Sequence, residues 1–324
     1  MRTIVLAALL FDLSCSLAHS AATELSEDIV NSASVQDWAA GQTSRPDPFI
    51  IRVQVLLDRT NISPGVVDGY LGDNLKKAIR IFEAREGLEA EGKISQTFWA
   101  ALSRDSGPAL QTYRMTADDL SQRYVDEIPK DFSEMADMKW LGYTSPKEML
   151  AERFHMDQSL LEALNPKADF TSVGSRILVA STGDSIAGKV SRIVVDRSDG
   201  ELVAYAGEQM IAAYPATIGS DSNPSPSGTH RVKAVVKNPS YTYDPDKNFQ
   251  QGDNKERLEI PAGPNGPVGS IWIDLSEPTY GIHGTSEPDL VDKTKSHGCV
   301  RLTNWDAEEL ARLVEKGVVV EFRE

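Results

Sequence analysis

Cysteine and histidine are scarce in this 324-residue chain, with two Cys and five His. The two thiols, at 15 and 299, exclude a disulfide scaffold and a Cys₄ or Cys₂His₂ zinc module. Positive charge is also in short supply: 33 Lys and Arg face 48 Asp and Glu, a formal net charge of −15. The deficit runs along the whole chain, net −9 over 21–184 and net −6 over 185–324. With no Lys/Arg stripe, neither nucleic-acid binding through phosphate neutralisation nor a polybasic membrane anchor is expected. No run of 18 apolar residues occurs, so no transmembrane segment is expected in the mature chain. What remains is an ordinary globular composition, 40% hydrophobic and 25% charged, with a length that favours two domains.

Residues 1–20 read as a secretory signal. Arg2 supplies the positive start, Ile4 to Leu13 a short apolar stretch, and Ala18-His19-Ser20 a small-x-small cleavage site before Ala21. A lipoprotein signal acylated on Cys15 is the alternative. Either one places the mature chain outside the cytoplasm, in the periplasm or cell envelope. Residues 21–49, rich in Ser, Ala, Asp and Glu, read as a linker.

A compact helical segment follows. Ile51, Val53, Val55, Leu56 and Leu57 form a stripe. A second helix over Asn74 to Glu86 carries Leu75, Ala78, Ile79 and Phe82 at helical spacing, and Gly87 stops it. Glu91 to Ser95 turns into a third helix, Gln96 to Leu102. The phrase Val67-Asp68-Gly69-Tyr70-Leu71-Gly72, followed by Lys77-Ala78-Ile79-Arg80-Ile81-Phe82, resembles the three-helix peptidoglycan-binding domain of cell-wall enzymes. Glu83 stands where that family usually has Gln.

Further on, Ser145-Pro146 caps a helix continued by Met149, Phe154 and Met156. Leu160, Leu161 and Leu164 form another helical patch, which Asn165-Pro166 ends, and Ile177-Leu178-Val179 is a strand signal. Helix, helix, Leu-Asn-Pro and strand resemble a LysM-type glycan-binding module. His155 and the methionines here read as packing. From Gly188 short strands dominate, around Ile193 to Val195, Leu202 to Tyr205, Met210 to Tyr214, His230 to Val236 and Ile271 to Leu275. The polar connection 237–270 is long enough to shape a cleft. A helix over Asn304 to Lys316 and a strand over Val318 to Phe322 close the chain.

Two of the five histidines flank the one thiol expected to survive export. His283 lies in Gly281-Ile282-His283-Gly284-Thr285, and His297 and Cys299 lie in Ser296-His297-Gly298-Cys299-Val300-Arg301-Leu302. An imidazole near a thiol can take its proton and later protonate a leaving amine. Gly298 permits close backbone approach, so that local N–H groups can face an oxyanion. Arg301 offers a fork for a carboxylate. Competing readings are an inert buried thiol, a three-ligand zinc site of His283, His297 and Cys299, and an intermolecular disulfide.

The Ser-His-Gly-Cys-Val-Arg-Leu core, with His283-Gly284-Thr285, Pro261 to Gly269 and Ser225-Pro226-Ser227-Gly228-Thr229, resembles the L,D-transpeptidase (YkuD) catalytic domain. The resemblance implies Cys299 as nucleophile and His283 as general base, oriented by the carbonyl of Gly284. It implies Ser296, His297 and Gly298 as shaping the oxyanion region, and Arg301 and Tyr280 as contacting the stem peptide. It needs no metal or organic cofactor. Its partners are peptidoglycan stem peptides and glycan. The implied activity is 3→3 cross-linking with release of D-alanine. Alternatives are an L,D-carboxypeptidase, an enzyme attaching an outer-membrane lipoprotein to the wall, and a catalytically silent wall-binding protein. The expected fold is multidomain. A β-rich YkuD-type catalytic domain at 188–323 is preceded by a three-helix peptidoglycan-binding-like domain at 50–105 and a small α+β LysM-like module at 110–182.

Overall fold

The computed structural model describes residues 25–36, 38, 44–105, 107–183, 186–220, 223–247 and 249–324. The expected signal (1–20), Cys15 within it and residues 21–24 lie outside the described residues. The expected linker is corrected in part. Its described portion holds α1 (Glu27–Ser32), capped by Ser26, with Glu27 and Asp28 favourably placed in the first turn. Val30 is fully buried, and the Asn31 side chain both donates to and accepts from the backbone of Leu110. One apolar anchor and one amide are too little periodicity for composition to reveal.

Three helices follow: α2 (Pro48–Arg59), α3 (Asp73–Arg85) and α4 (Gln96–Leu102). Asp47 and Ser95 cap α2 and α4 with their side-chain oxygens. Phe49, Val53, Leu56, Leu75, Ile79, Phe82, Phe98 and Leu102 share one core, as their spacing requires. Glu83 is buried and accepts from the Gly92 N–H at 2.8 Å, so its carboxylate closes the turn before α4.

The middle unit comprises β1 (Leu110–Arg114), α5 (Ala117–Leu120), α6 (Phe132–Ala136), α7 (Pro146–Arg153), α8 (Gln158–Leu164) and β2 (Arg176–Ala180). β1 and β2 pair antiparallel, with four helices between them in the chain, and α7 and α8 share a core with the pair. The helix expected to run on to Met156 stops at Arg153, because Phe154 caps it and His155 takes φ +57°. His155 stacks on Trp305 and bonds Asp58, which joins all three units.

The remaining strands are β3 (Arg192–Asp196), β4 (Glu201–Ala206), β5 (Gln209–Pro215), β6 (Thr217–Ile218), β7 (Gly228–Lys237), β8 (Tyr241–Tyr243), β9 (Leu258–Ile260), β10 (Ile271–Leu275), β11 (Gly281–His283), β12 (Val300–Arg301) and β13 (Val319–Arg323). Nine of them form one sheet in the order β5-β4-β3-β13-β7-β10-β11-β12-β6. Helix α9 (Asn304–Leu313) buries Ala307, Leu310 and Leu313 against Ile282, Val300 and Val320. It ends three residues short of Lys316, since Val314 is already extended.

The units are packed rather than strung. Val203 and Ala213 on β4 and β5 complete the core of the three helices. Ser63 donates to Asp306, and Asn304 donates to Glu152 of α7. The long connection contains β8 and β9, which pair as a hairpin. Leu141, Tyr243 and Ile260 are fully buried together beneath it. Among the described residues no helix is long and apolar enough to cross a membrane.

Candidate active site

Strands β11 and β12 lie side by side in parallel, with Ile282 opposite Val300 and His283 opposite Arg301. This register brings together residues separated by the whole loop 284–298. His283 ends β11, Cys299 precedes β12, and both line a cavity of about 860 Å³ with Tyr280, Ser296, His297 and Arg301.

His283 is buried, and its Nδ1 lies 2.6 Å from the carbonyl oxygen of Gly284. A carbonyl only accepts, so Nδ1 carries the proton and Nε2 keeps its lone pair. Burial, with the charge of Arg301 second, pushes His283 down to about 3. The imidazole is therefore neutral across the physiological range and free to accept a proton. Trp272 stacks on it with ring centroids 5.6 Å apart, fixing the plane of the ring.

Cys299 is half-buried and its Sγ–H donates to the Thr279 carbonyl at 3.7 Å. Burial pushes the thiol up to about 11, against the opposing pull of the Gly281 N–H and Arg301. The resting pair is thus neutral thiol and neutral imidazole. Ionisation of the thiol needs a proton acceptor at the moment of attack. Arg301 lies close enough to act on both groups, and its buried Nε has no hydrogen-bond partner among the described residues.

The loop before Cys299 is held from both sides. Ser296 is buried, donates to the Cys299 carbonyl at 2.6 Å and accepts from the Gly298 N–H at 3.2 Å. Ser225 donates to the Gly298 carbonyl at 2.6 Å. The Gly298 N–H is therefore engaged within the loop. What Gly298 supplies is shape: φ is +109°, and a Cβ there would come within 2.7 Å of the Tyr280 ring. Gly298→Ala is expected to cost at least about 1–2 kcal/mol from the left-handed backbone alone. Thermal unfolding checks this, and an unchanged melting temperature would contradict it. His297 is exposed, with its ring stacked 3.7 Å from Phe249. Among the described residues no three His, Cys, Asp or Glu side chains are placed to hold one metal ion.

Several residues beside the cleft escaped the sequence reading. Trp272 sits on a strand whose Ile271, Ile273 and Leu275 are buried, so the two-residue period turns it to the opposite face. A tryptophan on that face was the available signal. Thr279 holds the thiol but belongs to no motif. Ile128, Phe132 and Met135 reach the cavity from the middle unit, and Tyr241 and Phe249 reach it from the long connection.

Residues 191–321 match the family model described as L,D-transpeptidase catalytic domain (YkuD). Residues 46–102 match the one described as "Putative peptidoglycan binding domain" (PG_binding_1). The chain is 28% identical over 177 residues to "Putative L,D-transpeptidase YkuD" of Bacillus licheniformis, covering 53% of this chain and 90% of that protein. It is 29% identical over 187 residues to "Probable L,D-transpeptidase YbiS" of Escherichia coli K12, covering 56% of this chain and 61% of that protein. A solved L,D-transpeptidase structure from Stackebrandtia nassauensis aligns at 14% identity and a TM-score of 0.34, over 89% of this chain and 95% of that one. The chain thus carries a YkuD-type L,D-transpeptidase catalytic domain, with a peptidoglycan-binding-type domain N-terminal to it.

Proposed function

We propose that this protein is a peptidoglycan L,D-transpeptidase of the cell envelope, forming 3→3 cross-links in the periplasm. The observation that supports the reading best is the anchored, neutral His283 sharing one cavity wall with Cys299. Cys299 Sγ attacks the carbonyl of the third residue of a tetrapeptide stem while its proton passes to His283 Nε2. The tetrahedral intermediate collapses, the bond to the terminal D-alanine breaks, and His283 returns the proton to the departing amine. The thioester is then attacked by the side-chain amine of a diamino acid on a second stem. That amine's proton goes to His283, and the thiol is regenerated.

Arg301 serves this reading twice: its charge favours the thiolate, and it disfavours a prematurely charged imidazole. The N-terminal helical unit holds the enzyme at the wall and raises the local substrate concentration. The middle unit, whose α7 and α8 pack against the β1–β2 pair, is read as a LysM-like glycan-binding module. Intact mass after exposure to a carbapenem tests the chemistry, since acylation of Cys299 adds one covalent adduct. A protein that gains no mass would contradict the reading.

A further inference from the structure

The catalytic cleft is built from two units. Its far wall is residues 126–135 of the middle unit, with Ile128, Phe132 and Met135 among the lining side chains. This segment is locked to the long connection of the sheet domain. Phe132 N–H donates to Gln251 Oε1, Gln251 donates back to the Lys130 carbonyl, and Asn254 donates to Asp131. Deeper down, Leu141 donates to the Ala262 carbonyl and accepts from Asn265. Gly263, at φ +151°, has no room for a Cβ against the Leu141 backbone.

From this anchored wall a run of rings reaches the thiol loop. Phe132 packs edge-on against Tyr241, Tyr243 and Phe249, and Phe249 stacks on His297, two residues from Cys299. A small acyl group on Cys299 needs only a fraction of a cavity of about 860 Å³. The remaining space is faced by Ile128, Phe132, Met135 and Phe249, beside Asp126, Glu127 and Lys130 of the same wall.

We propose that Phe132 and its wall determine specificity, holding the part of the disaccharide-peptide that lies beyond the reacting residues. This rests on the transpeptidase reading. Contacts remote from the reacting carbonyl are where an enzyme gains binding that a truncated substrate lacks. The middle unit is then a component of the catalytic cleft and not only a wall tether.

The test measures binding of purified disaccharide-tetrapeptide to the full chain carrying Cys299→Ala, by calorimetry, with and without Phe132→Ala. Carbapenem labelling of Cys299 in the single Phe132→Ala variant reports whether the reacting centre is intact. Phe132→Ala should weaken binding about 10-fold. Carbapenem labelling should stay within about twofold, and Phe132→Trp should restore most of the binding, because a ring is again present. Equal binding with and without Phe132 overturns the wall's role alone. A parallel fall in labelling also overturns it, since the wall would then merely hold the fold. If the parent binds no disaccharide-tetrapeptide while Cys299 still labels, the substrate reading itself fails, and the wall's role with it.

Discussion

Replacing Cys299 with alanine will abolish acyl-enzyme formation and lower turnover by about 10⁶-fold, the scale seen when an enzyme loses its nucleophile. The structure makes this a clean experiment. The side chain is small and half-buried, and its hydrogen bond to the Thr279 carbonyl is a weak one. The bond from Ser296 goes to the backbone carbonyl of Cys299, so the loop keeps its anchor in the variant. Loss of both the carbapenem adduct and D-alanine release, with an unchanged melting temperature, is the expected result. Retained D-alanine release would remove Cys299 from the reaction.

The second large effect is expected at His283. With the thiol pushed up to about 11, almost none of it is ionised at neutral pH, so attack depends on a base. His283 is pushed down to about 3 and offers an unprotonated Nε2 throughout that range. His283→Ala should therefore lower the acylation rate by about 10²–10⁴-fold, the usual contribution of a positioned general base. Sign and window follow from the same two groups. Between about 3 and about 11 neither changes charge in the free enzyme, so His283 and Cys299 leave the wild-type acylation rate flat with pH across neutrality. In the alanine variant the rate should instead climb with pH, as the thiolate fraction rises tenfold per pH unit below the thiol's pKa. Stopped-flow acylation at several pH values checks both. Equal rates for wild type and His283→Ala at neutral pH would contradict the assignment.

What the sequence made legible was local. The stripes at Ile51 to Leu57 and Leu75 to Phe82 became α2 and α3, since burying one face at 3.6-residue spacing needs nothing from afar. His283 and Cys299 were legible as chemistry because glycines and polar residues surround both. That they share one wall depends on the parallel register of β11 with β12, a long-range pairing with no local trace. Segment 126–142 was illegible for a similar reason. Its place is set by single amides, Gln251, Asn254 and Asn265, reaching across more than 100 residues, and such contacts leave no periodicity. The expected linker failed at Val30, whose one buried side chain outweighs a polar neighbourhood.

Incubating the protein with purified disaccharide-tetrapeptide and following the products by mass spectrometry separates transpeptidation from hydrolysis and from binding alone. A cross-linked tetrapeptide–tripeptide dimer, with the mass of two disaccharide-tetrapeptides less one D-alanine, is the expected result. Unchanged tetrapeptide, or tripeptide alone, would contradict it.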